Sequence, residues 1–159
     1  MGHCLVIGYG NTLRSDDGVG PQVAELVATW QLPEVRSRVV HQLAPELAAE
    51  MAEVETVIFV DAAAPDAVLT GVTVSSIDLS GTDPYPQRLG HTSDPRSLLF
   101  LTQHLYQARP TAYWVLLPTE NLDFGEQFSP LAEAGIESAL NEIRKIVLSG
   151  KRRKVIGRR

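Results

Sequence analysis

The hydrophobic residues of this chain change period from one segment to the next, and each change marks a predicted element. Short apolar runs at 3–7, 38–43 and 56–62 predict strands, and the nearly continuous run at 56–62 is typical of a strand buried on both faces of a sheet. Segments 18–30 and 45–54 have apolar residues at helical spacing. The N-terminal half therefore predicts the order strand, helix, strand, helix, strand.

The C-terminal half continues the alternation. Segment 71–79 alternates like a more exposed strand, 93–108 and 129–148 have helical spacing, and 112–118 predicts a further strand. Strands that alternate with helices predict an α/β fold of three layers, α/β/α, in which helices cover both faces of a mostly parallel, twisted sheet of about five strands. In such a sheet, ligands bind at the carboxyl ends of the strands.

Length and charge narrow the setting. The chain has 159 residues, of which 44% are hydrophobic, so we expect a single domain over 1–149 that functions as a monomer, followed by a basic, solvated tail at 150–159. The formal net charge is -5, and the body of the chain has no basic face for phosphates, which argues against nucleic acid as a partner.

Cysteine content and hydropathy indicate the compartment. The single cysteine, Cys4, excludes an internal disulfide, and its place in a predicted strand favours a small buried side chain over a nucleophile. No long apolar span or cleavable signal occurs, so we expect a cytoplasmic protein that does not contact a membrane.

The polar stretch GYGNTLRSDDGVG, 8–20, joins the first predicted strand to the first helix. It fails as a dinucleotide fingerprint, because Leu13 occupies the position of the third glycine and Gln42 stands where the second strand should end in an acid. It also fails as a phosphate loop, because Asp16 and Asp17 would repel a phosphate. A structural role, in the loop or as a helix cap, explains one of the two acids, and we assign this role to Asp16. Asp17 remains as a candidate functional group.

Two further residues have positions suited to a site. Asp61 comes directly after the apolar run VIFV, at the predicted carboxyl end of a central strand, and His91 lies in a polar loop before a helix. If the three loops converge, Asp17, Asp61 and His91 offer two carboxylates and one imidazole to a divalent metal, with positions left open for water or substrate. At the pH where an ordinary histidine titrates, we expect both carboxylates to be ionised.

Three motifs, GYGNTLRSDDGVG, FVDA and GHTSDP, together resemble the hydrogenase maturation proteases, which are nickel-dependent endopeptidases that trim the C-terminus of [NiFe]-hydrogenase large subunits. The resemblance covers nearly the whole chain up to the basic tail. It implies that Asp17, Asp61 and His91 are the metal ligands. Many members carry an Asp-Gly-Gly-Thr type segment linked to substrate recognition after the second strand, where this chain has HQLAPELA and Gln42. That difference resembles the branch that serves soluble bidirectional hydrogenases.

The resemblance also implies the reaction and the partner. The substrate is a large-subunit precursor that already carries nickel, so the metal arrives with the substrate, and Zn or Cd is expected to occupy the same site in vitro. The sequence has no G-x-S-x-G elbow and no H-E-x-x-H helix, so the catalytic groups stay unknown beyond metal assistance through the three ligands. A non-catalytic nickel-binding or assembly chaperone for hydrogenase maturation remains the alternative.

Overall fold

A computed structural model of the chain describes residues 3–64, 66–67, 69–79 and 94–156, with side chains described as far as Gly150. A 3-10 turn, Ser15–Gly18, precedes the first α-helix. The strands and α-helices are β1 (Cys4–Tyr9), α1 (Val19–Ala28), β2 (Val35–Val40), α2 (Leu47–Met51), β3 (Thr56–Ala62), β4 (Thr73–Ile77), α3 (Pro95–Tyr106), β5 (Thr111–Leu117) and α4 (Pro130–Ile156).

The strands form one sheet in the order β2-β1-β3-β5-β4. β2, β1, β3 and β5 run parallel to one another, whereas β4 pairs antiparallel with β5 at one edge. Helices cover both faces: α1 and α4 pack on one, and α2 and α3 pack on the other. The predicted three-layer α/β/α fold with a mostly parallel sheet of about five strands is therefore confirmed.

The start of α1 lies unusually close to the sheet. A Cβ atom on Gly8 would lie 2.0 Å from the carbonyl oxygen of Gly20, and a Cβ atom on Gly20 would lie 2.4 Å from the carbonyl oxygen of Val60. Side chains at these two glycines would push the helix away from β1 and β3. The glycines of the first motif thus set how closely the polar loop approaches the sheet.

Two predicted boundaries were wrong. The second strand covers Val35–Val40 rather than 38–43, because its pairing with β1 begins at Val35 opposite Cys4, while Leu43 already packs in the core beneath α2 and α3. The last helix, predicted at 129–148, extends further, because the backbone of α4 stays helical through Ile156. Among the described residues, every helix is too short or too polar to span a bilayer.

Candidate active site

The candidate site lies where the order of the strands reverses. The chain passes from β1 to β2 on one side and then crosses over to β3 on the other side of β1, so the connections that follow β1 and β3 lead away in opposite directions. Crevices at such switch points are the usual ligand sites of open α/β sheets. The loop after β1 carries Asp17, and β3 carries Asp61 next to its last residue. Both predicted carboxylates therefore lie at this edge.

Asp61 is a half-buried carboxylate on the sheet side covered by α2 and α3. Its Oδ1 accepts a hydrogen bond of 2.8 Å from the backbone N–H of Ala62. Burial, with a smaller contribution from the negative charge of Asp17, raises the pKa of Asp61 to about 6, against the opposing effects of the nearby Tyr9 hydroxyl and of the hydrogen bond from Ala62. Near pH ~6.5, where an ordinary histidine titrates, Asp61 is therefore mostly but not completely ionised.

Asp17 is held by a tight turn in the loop after β1. Its Oδ2 accepts a bond of 2.8 Å from the N–H of Asn11, and Asn11 Oδ1 accepts a bond of 2.9 Å from the N–H of Leu13. Gly10 has a φ of 146°, and a Cβ atom there would lie 2.1 Å from the carbonyl oxygen of Asp17. Only glycine fits this position, so the G-x-G-N motif shapes the backbone that presents Asp17.

Asp16 has a structural role other than the predicted cap. The 3-10 turn has no side-chain cap bond, and the Asp16 side chain is fully buried. Its Oδ2 accepts bonds from the backbone N–H of Glu120, the N–H of Asn121 and the hydroxyl of Ser129, and its Oδ1 accepts one from the N–H of Ser129, at 2.7–3.1 Å. Burial alone would raise the pKa of Asp16, but these hydrogen bonds outweigh it and lower the pKa.

The segment between β5 and α4 therefore braces the loop that carries Asp17. Backbone bonds join the two loops directly: Ser15 N–H donates to Gly125 O at 2.7 Å, and Gly125 N–H donates to Leu13 O at 2.8 Å. Sequence reasoning assigned no role to this segment. Its turn-forming residues signal a loop, but nothing in their pattern tells which part of the chain the loop will contact.

The buried Tyr9 and the partly buried Trp114 lie beside Asp61, and sequence reasoning missed both. The Tyr9 side chain is 7% exposed, and its pKa is raised above the usual range by burial and by the charge of Asp61. The nearby indole of Trp114 opposes this increase. Within the described ranges, however, neither the Tyr9 hydroxyl nor Trp114 Nε1 reaches hydrogen-bond distance and angle with a partner. For Tyr9, the signal available in the sequence was its position as the aromatic residue of the GYGN motif.

The other two predicted site residues differ in what the structure says of them. Gln42 is exposed and lies two residues after β2, whose carboxyl end is at the same edge of the sheet as that of β1. His91 lies outside the described residues. Within the described ranges, no group of three or more histidine, cysteine, aspartate or glutamate side chains is placed to hold a metal. The predicted set of three would need His91 to complete it.

The two carboxylates of the candidate site, Asp17 and Asp61, have the charge that a bound cation would need. The charge of Asp17 is close enough to raise the pKa of Asp61, and neither carboxylate forms a salt bridge with a described side chain. Two like charges that lack a counter-ion favour the binding of a divalent metal, for which carboxylate oxygens are ligands.

Comparison with known proteins identifies the fold. The sequence matches no protein-family model and no curated protein. Among solved structures, the hydrogenase maturating endopeptidase HybD from E. coli aligns with a TM-score of 0.71 and 21% identity over 92% of this chain and 93% of its own. The hydrogenase 2 maturation peptidase from Thaumarchaeota archaeon SCGC_AB-539-E09 aligns with a TM-score of 0.69 and 22% identity over 91% of this chain and 97% of its own.

The chain has the fold of the hydrogenase maturation proteases. A third structure, the [NiFe] hydrogenase maturation protease HycI from Thermococcus kodakarensis KOD1, aligns with a TM-score of 0.69 and 18% identity over 91% of each chain. The maturation-protease fold thus accounts for nearly all of this chain. It agrees with the resemblance that the three motifs indicate.

Proposed function

We propose that this protein is a hydrogenase maturation endopeptidase that removes a C-terminal peptide from the nickel-loaded large-subunit precursor of a [NiFe] hydrogenase of the soluble bidirectional type. The observation that carries the proposal is the Asp17–Asp61 pair, placed at the switch point of a maturation-protease fold. The loop that presents Asp17 is braced from behind through Asp16, which keeps one carboxylate in place while the other is fixed by β3.

In this proposal the nickel belongs to the substrate. Asp17, Asp61 and His91 would complete its coordination, and Zn or Cd would occupy the same position in vitro. A metal with open positions can polarise the scissile carbonyl or activate a water molecule. The chain's own residues would hold the ligands: β3 fixes the backbone of Asp61, and the N–H of Asn11 fixes the carboxylate of Asp17. Since Asp61 has a pKa of about 6, it is mostly ionised near pH 7.5, as a ligand must be.

The decisive experiment measures turnover. The full chain, at one part to twenty of precursor, is incubated with nickel-loaded and nickel-free large-subunit precursors, and the released peptide is identified by mass spectrometry. We expect complete cleavage of the nickel-loaded precursor alone. Stable binding of the precursor without cleavage would instead identify a nickel-binding or assembly chaperone.

Gln42 should affect which precursor is accepted rather than how fast an accepted one is cut. It is exposed at the sheet edge that carries Asp17 and Asp61, where a bound protein can reach it. We expect Gln42→Asp to change the ratio of kcat/KM between two different nickel-loaded precursors by about tenfold, the effect of one polar contact of ~1.4 kcal/mol. An equal loss for both precursors would contradict a role in selectivity. Gln22→Asp on α1 is the control.

The pH dependence of metal binding should reveal His91. Imidazole binds a metal only when neutral, so protons compete with the metal below a pKa of ~6.5. Asp61 also takes up a proton near pH 6. In acid, Zn²⁺ or Ni²⁺ must therefore displace two protons from wild type, and the affinity for the metal should fall accordingly as the pH decreases. The His91→Gln variant should bind more weakly and show a slope of log affinity against pH that is smaller by about one.

The matched control for this titration is His104→Gln, which changes an exposed histidine on α3. The titration is followed by calorimetry, with circular dichroism at each pH to confirm folding. Equal slopes for wild type and His91→Gln would exclude His91 as a ligand.

A further inference from the structure

Three side chains from neighbouring strands meet on one face of the sheet beside the candidate site. Gly8 of β1 lies opposite Val60 of β3, so the next residues along each strand, Tyr9 and Asp61, are also neighbours. Alternation places both side chains on the face covered by α2 and α3, together with Trp114 of β5. Asp61 and Trp114 are both near enough to the Tyr9 hydroxyl to affect its pKa.

This cluster contains two buried polar atoms with no hydrogen-bond partner in the described part of the chain, namely Tyr9 Oη and Trp114 Nε1. Burial of such atoms without a partner costs free energy, and native structures contain few of them. An indole N–H can only donate, whereas a phenol hydroxyl both donates and accepts. One arrangement satisfies both atoms: Trp114 donates to Tyr9, and Tyr9 donates to Asp61.

We infer that Tyr9 is a positioning residue for Asp61, held in turn by Trp114, and that this chain of donors closes when Asp61 binds the metal of the substrate. The inference rests on the proposed function. A metal ion takes one oxygen of a carboxylate and leaves the other to a hydrogen-bond donor of the protein, and such donors fix the orientation of the ligand. Tyr9 is the buried donor beside Asp61 that lacks a partner.

The test is Tyr9→Phe in the full chain, which removes the hydroxyl and keeps the ring in the apolar core on the α2 and α3 face of the sheet. We expect the affinity for Zn²⁺ or Ni²⁺ to fall by about 10–100-fold, the usual effect of losing a donor to a metal ligand. The variant should unfold no more easily than wild type, because the lost hydroxyl has no partner in the free protein. Tyr113→Phe is the control, since Tyr113 lies on the opposite face, with α1 and α4.

A fluorescence measurement reports the same contact without any enzyme assay. The chain has two tryptophans, so a Trp30→Phe background leaves Trp114 as the single indole emitter. Metal binding should shift the emission of Trp114, and Tyr9→Phe should reduce this shift together with the affinity. Unchanged affinity and emission in Tyr9→Phe would overturn the inference.

The outcomes separate this inference from the proposed function. If wild type binds Zn²⁺ but cleaves no nickel-loaded precursor, the proposed peptidase fails, while a weaker binding by Tyr9→Phe still supports positioning of Asp61. If wild type cleaves and Tyr9→Phe binds and cleaves equally well, the peptidase stands and the positioning role falls. If wild type binds no free metal, the positioning role falls, and the turnover experiment alone decides the peptidase.

Discussion

The Asp61→Asn variant should be more stable than wild type at pH 7.5 and should lose processing of the precursor. In the unfolded chain Asp61 ionises near its usual pKa of 3.8, whereas burial raises the pKa in the folded protein to about 6. Between these pH values the folded protein binds more protons than the unfolded chain, so its free energy of unfolding falls as the pH rises. Two pKa units correspond to about 3 kcal/mol, which sets the upper limit of the gain on replacing the charge by an amide.

Urea unfolding of the metal-free proteins checks this prediction. Wild type should lose stability relative to Asp61→Asn between pH 4 and pH 7, and the two should differ by about 1–3 kcal/mol at pH 7.5. The amide oxygen can still accept the N–H of Ala62, so the backbone contact at Asp61 survives the change. Asp66→Asn, which alters an exposed acid after β3, is the control and should show no such dependence. An Asp61→Asn protein less stable than wild type at pH 7.5 would contradict the raised pKa.

Asp16→Asn should have the opposite effect and destabilise the protein by about 2–4 kcal/mol. The buried carboxylate accepts four hydrogen bonds, and an amide in its place would turn an NH₂ group toward donors of Glu120, Asn121 or Ser129. Since the folded-state pKa of Asp16 is lowered, its contribution is present at neutral pH and is lost as the pH falls through that pKa. The cost of the substitution should therefore shrink in acid.

The neighbouring acid provides the control. Asp17→Asn should cost less than 1 kcal/mol, since Asp17 is half-buried and an amide oxygen can still accept the N–H of Asn11. Under conditions where both variants are folded, Asp17→Asn should reduce processing more than Asp16→Asn, because only Asp17 is a proposed ligand. Chemical unfolding and the precursor assay, run on the same two samples, separate the two roles. A greater loss of stability in Asp17→Asn would show that the two acids were assigned wrongly.

Opposite signs for Asp61 and Asp16 follow from how each carboxylate is solvated by the protein. Backbone N–H groups and a hydroxyl replace water around Asp16, so its charge stabilises the fold. Asp61 is buried with fewer donors and beside a like charge, so its ionised form is costly until a cation arrives. A site that lowers stability in the free protein is a common cost of function.

Much of the fold was determined by local patterns in the sequence. The run at 56–62 matches β3 residue for residue, since a continuous apolar segment ending in an acid has few alternatives to a central strand. The helix predicted at 93–108 is observed as Pro95–Tyr106, where Asp94 accepts the N–H of Arg96 as its N-cap. The placement of Asp17 and Asp61 at one edge followed from topology, because parallel strands end on the same side.

What only the tertiary structure decided are the contacts between distant segments. Nothing near Asp16 in the sequence indicates that residues 104 to 113 positions further on would supply its donors, and a local interpretation therefore assigned it a role in the loop or as a cap. The burial of Tyr9 and Trp114 against Asp61 likewise depends on the order of the strands, which puts β3 between β1 and β5. Periodicity records which face of an element is buried, but solvation and pKa depend on the atoms that the rest of the chain brings to that face.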